Sequence, residues 1–340
     1  MNTVFCFGEL LLRLSPQLNG GWIKQKSMPV YFGGAELNVA TALAAWNIPV
    51  SFVTALPDNY LSKEICTSLN EKKISTDDII FSGNRIGIYY LPQGAELKNA
   101  TVIYDRSFSS FSELQPGQID WENILKNKSR FHFSAISPAL NANVAAVCKE
   151  GLEAAKKMGL TISVDLNYRE KLWQYGKSPK DIMPELIKYC DVIMGNIWSA
   201  ETLLGVNATI NDSAGKSHKE LIDAAGKSML QLHQQYTTAS TFAYTFRLQN
   251  EYFGVLQHGK EMAVSKKFQI KNIIDKAGSG DCFMAGLIYG LLHKNEPQQI
   301  VNFAAAAATG KLYETGDSTQ QTEDDLRNRL LMKNVINDEE

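Results

Sequence analysis

Patterns for holding metal or forming disulfides are missing from this 340-residue chain. Its five cysteines, Cys6, Cys66, Cys148, Cys190 and Cys282, are scattered and form no CxxC pair. Four of them lie in apolar segments and read as small buried hydrophobes, an arrangement expected of a reducing cytoplasm. The five histidines form no HExxH spacing and read as structural or surface residues, so no protein metal site is expected. No apolar run approaches the roughly 18 residues that suggest a membrane span. Long basic runs are absent too, and the formal charge is −2, so nothing selects nucleic acid or an anionic membrane as partner. The start lacks a basic n-region, and Glu9 and Arg13 interrupt its apolar residues, so no secretory signal is expected. No GxGxxG follows the first apolar segment, which argues against a dinucleotide-dependent dehydrogenase. Internal repeats are absent as well.

Two glycine turns stand out against these absences. In Asp275-Lys276-Ala277-Gly278-Ser279-Gly280-Asp281 the glycines directly precede an apolar helical stretch, Cys282 to Tyr289. Unpaired amides and the helix dipole at such an N-terminus favour an anion, and glycine lets a phosphate approach the backbone. Asp281 is placed to take a proton from a hydroxyl nucleophile. Taken alone, the run is equally an ordinary capped loop. A second turn, Phe32-Gly33-Gly34-Ala35-Glu36-Leu37-Asn38, opens a second helix over Glu36–Trp46. Asn38 offers both donor and acceptor to a polyhydroxylated ligand. Two such turns, far apart in the chain, suggest two halves of one cleft.

The rest of the chain alternates strand and helix. Strands are expected at Val4–Phe7, Val50–Ala55, Arg130–Ser134, Thr161–Asp165, Val192–Gly195 and Thr241–Phe246. Helices are expected at Leu61–Lys72, Asn143–Met158, Pro179–Tyr189, Lys216–His233 and Thr322–Met332, with a tail frayed from Lys333. This rhythm predicts an α/β fold of three layers, α/β/α, around a mostly parallel central sheet. Ligands bind such sheets at the carboxyl ends of the strands. Segments 10–33 and 86–108 break the rhythm with hairpin-like material. They are expected to form a small β-sheet lid inserted in one domain over 1–332; edge strands of the main sheet are the alternative. A lid that excludes water would keep it from competing with a hydroxyl nucleophile activated at Asp281. The Ala304–Ala308 run would leave room for a flat ligand such as adenine.

With these stretches in view, the chain resembles the ribokinase-like (PfkB) carbohydrate kinases over essentially its whole length. The likeness is strongest to the branch acting on 2-keto-3-deoxygluconate. It rests on Gly33-Gly34-Ala35-Glu36-Leu37-Asn38-Val39-Ala40, on Gly87-Ile88-Tyr89-Tyr90 with Ile103-Tyr104-Asp105-Arg106, on 131–140, and on Val164-Asp165-Leu166-Asn167-Tyr168-Arg169 continuing to Trp173. The resemblance implies that Asp281 is the general base and that Gly278, Ser279 and Gly280 donate amides to the transferring phosphate. It implies that Gly34, Asn38, Tyr89, Tyr104 and Arg106 face the sugar, and that Arg169 reaches the sugar or the γ-phosphate. Asn167, Asn196, Gly278 and Gly280 would line the nucleotide site, with ATP and Mg2+ as cosubstrate and cofactor. The planar fork of arginine suits a carboxylate, so Arg106 and Arg169 favour an acidic sugar. A solvent-facing lid charge, a helix-start salt bridge and plain β-packing are the bland readings of Arg106, Arg169 and the two tyrosines.

Some positions depart from the family pattern. Lys276 and Ser279 occupy variable places in the turn. Ser199 stands three residues after Asn196, where an acidic residue commonly helps organise Mg2+, and Glu201 comes two later. The stretch Tyr236–Leu248 is unusual near the expected nucleotide site. The expectation is therefore ATP-dependent phosphorylation of a small acidic sugar, 2-keto-3-deoxygluconate above all, to its 6-phosphate in the cytoplasm. A kinase of fructose or ribose, and a non-catalytic binding protein on the same fold, stay open. A homodimer through the aromatic-rich lid is a further expectation.

Overall fold

The protein is described from a computed structural model, in which residues 3–17, 21–24, 26–92, 102–332 and 335–336 are described. The expected lid positions 18–20, 25 and 93–101, and most of the tail from 333, lie outside the described residues.

Short, largely buried strands build the main sheet. Val50–Val53 and Val192–Gly195 are fully buried, and Thr3–Phe7, Lys128–Ser134 and Thr161–Asp165 are buried over their C-terminal parts, as expected of parallel strands covered on each side by helices. The eleven-stranded sheet runs Val335–Ile336, Lys267–Gln269, Glu251–His258, Thr241–Arg247, Val192–Gly195, Thr161–Asp165, Lys128–Ser134, Thr3–Phe7, Val50–Val53, Ile74–Ser75, with Glu261–Val264 alongside Glu251–His258. From Ile74–Ser75 to Thr241–Arg247 every pairing is parallel. Beyond Thr241–Arg247 the edge is antiparallel. The expected strand over Val50–Ala55 ends at Val53, and Ala55–Leu56 pairs instead with Ile80–Phe81 in a sheet of its own. The tail expected to fray contributes the two-residue strand Val335–Ile336.

Helices cover both faces. Asn141 opens Ala142–Lys157 by accepting the Val144 amide, and Ser217 and Thr322 open theirs with capping boxes. The helices Ala35–Ala45 and Ser279–Leu292 differ: each starts at a glycine and has no side-chain cap. In Ser279–Leu292 the opening amides therefore stay available to a ligand. These two helices pack on one face together with Pro297–Lys311. The alanines 304–308 serve that packing. They are fully buried, and a Cβ at Gly286 would lie 2.5 Å from the Ala304 Cα. Helix contact, and not room for adenine, is what the small side chains provide.

A separate four-stranded sheet, ordered Val30–Gly33, Leu11–Leu14, Gly87–Tyr90, Ile103–Asp105, stands at one end of the main sheet's strands. No helix among the described residues is long and apolar enough to cross a membrane.

Candidate active site

The strand ends bring the chemistry together. Thr3–Phe7 leads to Glu9, Thr161–Asp165 to Asn167 and Arg169, and Val192–Gly195 to Asn196. Two cavities open there. One, of about 190 Å³, is lined by Asp165, Asn167, Asn196, Thr245, Arg247, Tyr252, Lys276 and the 278–281 turn. The other, of about 60 Å³, lies under the small sheet, among Gly34, Asn38, Tyr89, Tyr104, Arg106 and Asp317. Asn167, Arg169, Gly278 and Asp281 line both. A group transferred from one cavity to the other would pass these four residues.

The turn is fixed by geometry that only glycine allows. Gly278 has φ 78°, in the left-handed region, and a Cβ there would lie 1.8 Å from the Asp317 carbonyl oxygen. Ser279 begins the helix, and its hydroxyl donates to the Ala308 carbonyl at 3.0 Å. That side chain anchors the turn, and no side chain caps the helix that follows. Gly34 plays the matching part opposite, with φ 135° and the Glu9 carbonyl 2.4 Å from a built Cβ.

Asp281 sits in the first turn of Ser279–Leu292, buried in the wall between the cavities. Burial pushes its carboxyl up to about 7, against the opposing pull of the Asn38 hydrogen bond and the Arg169 charge. Asn38 Nδ2 donates to Asp281 Oδ2 at 2.7 Å, and Asn38 Oδ1 accepts from the Ser318 hydroxyl at 3.0 Å. The residue read from sequence as a sugar contact holds the Asp281 carboxyl, and its amide is engaged at both ends.

Other expected site residues carry partners as well. Arg106 donates through Nε (2.7 Å) and Nη2 (2.5 Å) to Glu9 Oε2, both residues being buried. Ser109 donates to the other Glu9 oxygen. The Tyr89 hydroxyl donates to Asp317 Oδ1 at 2.5 Å, and burial holds that phenol well above its ordinary range. Arg169 is half-buried and donates to the Tyr168 carbonyl at 3.0 Å. Asn196 caps Ile197–Leu204 by accepting the Ser199 amide at 2.9 Å, so the position of Ser199 is used through its backbone.

Several buried charges had no signal in the sequence. Arg13, on the strand Leu11–Leu14, reaches Asp275 at 2.7 Å, and the other oxygen of Asp275 accepts the Ala277 amide at 3.1 Å. Glu36 accepts the amide and hydroxyl of Ser134 at 2.8 and 2.6 Å. Burial pushes the Glu36 carboxyl up. All these pairs join segments far apart in the chain, so no local motif betrays them.

Among the described residues no group of three His, Cys, Asp or Glu side chains is arranged to hold a metal ion. Of the residues lining the larger cavity, only Asp165 and Asp281 are acidic.

Comparison with known proteins agrees with this geometry. The pfkB family of carbohydrate kinases matches residues 1–324. A 2-dehydro-3-deoxygalactonokinase of Haloferax volcanii is 26% identical over 334 residues, covering 95% of each chain. A 5-dehydro-2-deoxygluconokinase of Clostridium botulinum is 23% identical over 305 residues, covering 88% of this chain and 84% of its own. The crystal structure of a 2-dehydro-3-deoxygluconokinase from Thermotoga maritima superposes with a TM-score of 0.87 at 32% identity, over 98% of this chain and all of the other. The chain belongs to the pfkB family of carbohydrate kinases, and its fold is the ribokinase-like α/β fold. The family and its named kinase relatives make this chain a carbohydrate kinase, against the non-catalytic reading.

Proposed function

We propose that this PfkB-family kinase transfers the terminal phosphoryl group of ATP to a primary hydroxyl of a small acidic sugar, 2-keto-3-deoxygluconate or its galactonate counterpart. One observation carries the reading: a carboxyl titrating near 7 stands where two cavities meet, beside an uncapped helix N-terminus. A base that titrates near the working pH is suited to taking a proton from an alcohol in the transition state. The adjoining amides suit a group that gathers negative charge as it moves.

The steps follow from the chain's own residues. The larger cavity takes the nucleotide, with its phosphates toward Lys276 and the turn. The smaller takes the sugar, under the small sheet, which serves as a lid that keeps water from competing as acceptor. Asp281, held by Asn38, accepts the proton of the attacking hydroxyl as the oxygen–phosphorus bond forms. The bond to the leaving ADP oxygen breaks on the far side, in line, and no covalent enzyme intermediate arises. The amides of Gly278, Ser279 and Gly280, with Arg169, stabilise the charge. Mg2+ on the nucleotide phosphates would add positive charge there, and of the larger cavity's lining residues Asp165 would be the one to hold it through water.

The acidic character of the sugar rests on Arg169, which lines both cavities and whose guanidinium fork suits a carboxylate. The curated relatives named for keto-deoxy sugar kinases support it. One observation favours a neutral sugar instead: Arg106 is already matched to Glu9, so its charge is neutralised. The two readings part in one experiment. Michaelis constants are measured for the keto acid and for fructose in wild type and in Arg169→Met. The acidic reading expects the acid's constant to rise about 10-fold or more while that for fructose moves little. Equal changes for both substrates would leave the neutral reading in place.

A further inference from the structure

A buried ammonium lies behind the anion-binding turn, and no step above uses it. Lys311 ends the helix Pro297–Lys311, and none of its side chain reaches solvent. Among the described residues its Nζ makes one hydrogen bond, to the Glu314 carbonyl at 3.2 Å. An ammonium carries three donors. A lysine in the last turn of a helix is favoured by the dipole, yet such side chains ordinarily keep the charged head in water. Burying this one with a single carbonyl partner is costly, so its position needs a further reason.

The neighbouring turn supplies that reason. A Cβ built on Gly278 would stand 3.3 Å from Lys311 Cε, which sets the end of the lysine directly against the turn. The helix that carries Lys311 also receives the Ser279 hydroxyl, at the Ala308 carbonyl, so one element holds both the turn and the charge. The field of the ammonium reaches the same neighbourhood. Burial pushes the Asp317 carboxyl up, and Lys311 is among the groups that oppose it, with Arg13 and Tyr89.

We propose that Lys311 is a built-in cation. Fixed beneath Gly278, it raises the positive potential at the turn's amides and stabilises the negative charge that collects on the transferring phosphoryl group. In a water-poor interior a fixed charge at this range acts strongly and needs no reorganisation during the reaction. Lys311 works through the turn and touches no substrate, so it is a positioning residue. Because the charge is carried on a side chain, the site needs no dissolved monovalent cation. The inference rests on phosphoryl transfer at this turn, but not on which sugar receives the group.

The test uses the full-length enzyme with whichever sugar it phosphorylates fastest, so a wrong assignment of the sugar does not affect it. Wild-type kcat is compared in sodium, potassium, ammonium and tetramethylammonium chloride at equal ionic strength. The proposal expects values within about 2-fold, and a requirement for any one of these cations would overturn it. Lys311→Met, uncharged and of similar length, should lose about 100-fold in kcat while both Michaelis constants move less than about 3-fold. Lys311→Ala leaves a hole as well. It should fall as far and then recover about 10-fold in potassium or ammonium but not in tetramethylammonium, whereas the Met variant recovers in none. A folded Met variant with wild-type kcat would refute the role. So would an Ala variant indifferent to every cation. If neither variant folds, the wild-type salt series decides alone.

Discussion

Replacing Asn38 with alanine separates two roles that sequence and geometry assign to one side chain. Read from sequence, Asn38 meets the sugar; in the fold, its Nδ2 donates to Asp281 at 2.7 Å. That bond favours the ionised carboxylate, and burial is the opposing influence that brings the group to about 7. A hydrogen bond to a charged partner contributes about 1.5–3 kcal/mol, and one pKa unit corresponds to about 1.4 kcal/mol. Losing the bond should therefore raise the Asp281 pKa by about one to two units. The sign follows: the base works ionised, so the acid limb of the profile moves to higher pH. At pH 7 wild type is about half ionised, while the variant would be roughly 1–10% ionised. The assay is kcat/KM for the sugar against pH by coupled ADP release, since that ratio reports the free enzyme. A limb that stays near 7 while activity falls evenly at all pH values would refute the reasoning and return Asn38 to the sugar.

Other perturbations have equally definite outcomes. Arg106→Ala strands Glu9 as an unpaired buried carboxylate and should destabilise the fold by about 3–5 kcal/mol in urea melts, with Glu9→Gln on the same background recovering part of it. An unchanged midpoint would show that the pair is not buried as described. Gly278→Ala puts a methyl 1.8 Å from the Asp317 carbonyl oxygen and should abolish turnover; activity near wild type would contradict the turn's geometry. Asp281 has a folded pKa of about 7, above its ordinary 3.8, so wild type loses stability as pH rises from about 4 through 7. Asp281→Asn does not titrate, and its melting temperature should gain on wild type between pH 5 and pH 8. Parallel curves would mean that the carboxyl is not desolvated. Val30 and Ile103 are half exposed on the small sheet, and the homodimer expected from sequence through that sheet would show twice the chain mass by light scattering. A monomer would remove it.

What could be read from sequence was whatever is local. The βαβ rhythm appears in short apolar runs and helix stops, and strands such as Thr161–Asp165 and Val192–Gly195 lie where their residues suggest. Both glycine turns were visible because their chemistry is written in consecutive residues. The antiparallel edge was harder. Glu251–His258 carries Gly254 mid-strand, ordinarily a sign against a strand, but a Cβ there would meet the Phe283 ring at 2.6 Å. Arg106 shows the limit best. Its residue type suggested a ligand carboxylate, and the carboxylate it meets is Glu9, 97 positions away. Arg13 with Asp275, and Glu36 with Ser134, are hidden for the same reason, since only the folded chain brings them within reach.

The most direct measurement is ADP release from ATP with 2-keto-3-deoxygluconate, 2-keto-3-deoxygalactonate, fructose and ribose, in wild type and Asp281→Asn. Fastest turnover on a keto acid, lost by several orders of magnitude in the variant, is the expected result. Turnover that survives Asp281→Asn would contradict the role given to the base, and a preference for fructose or ribose would contradict the acidic sugar.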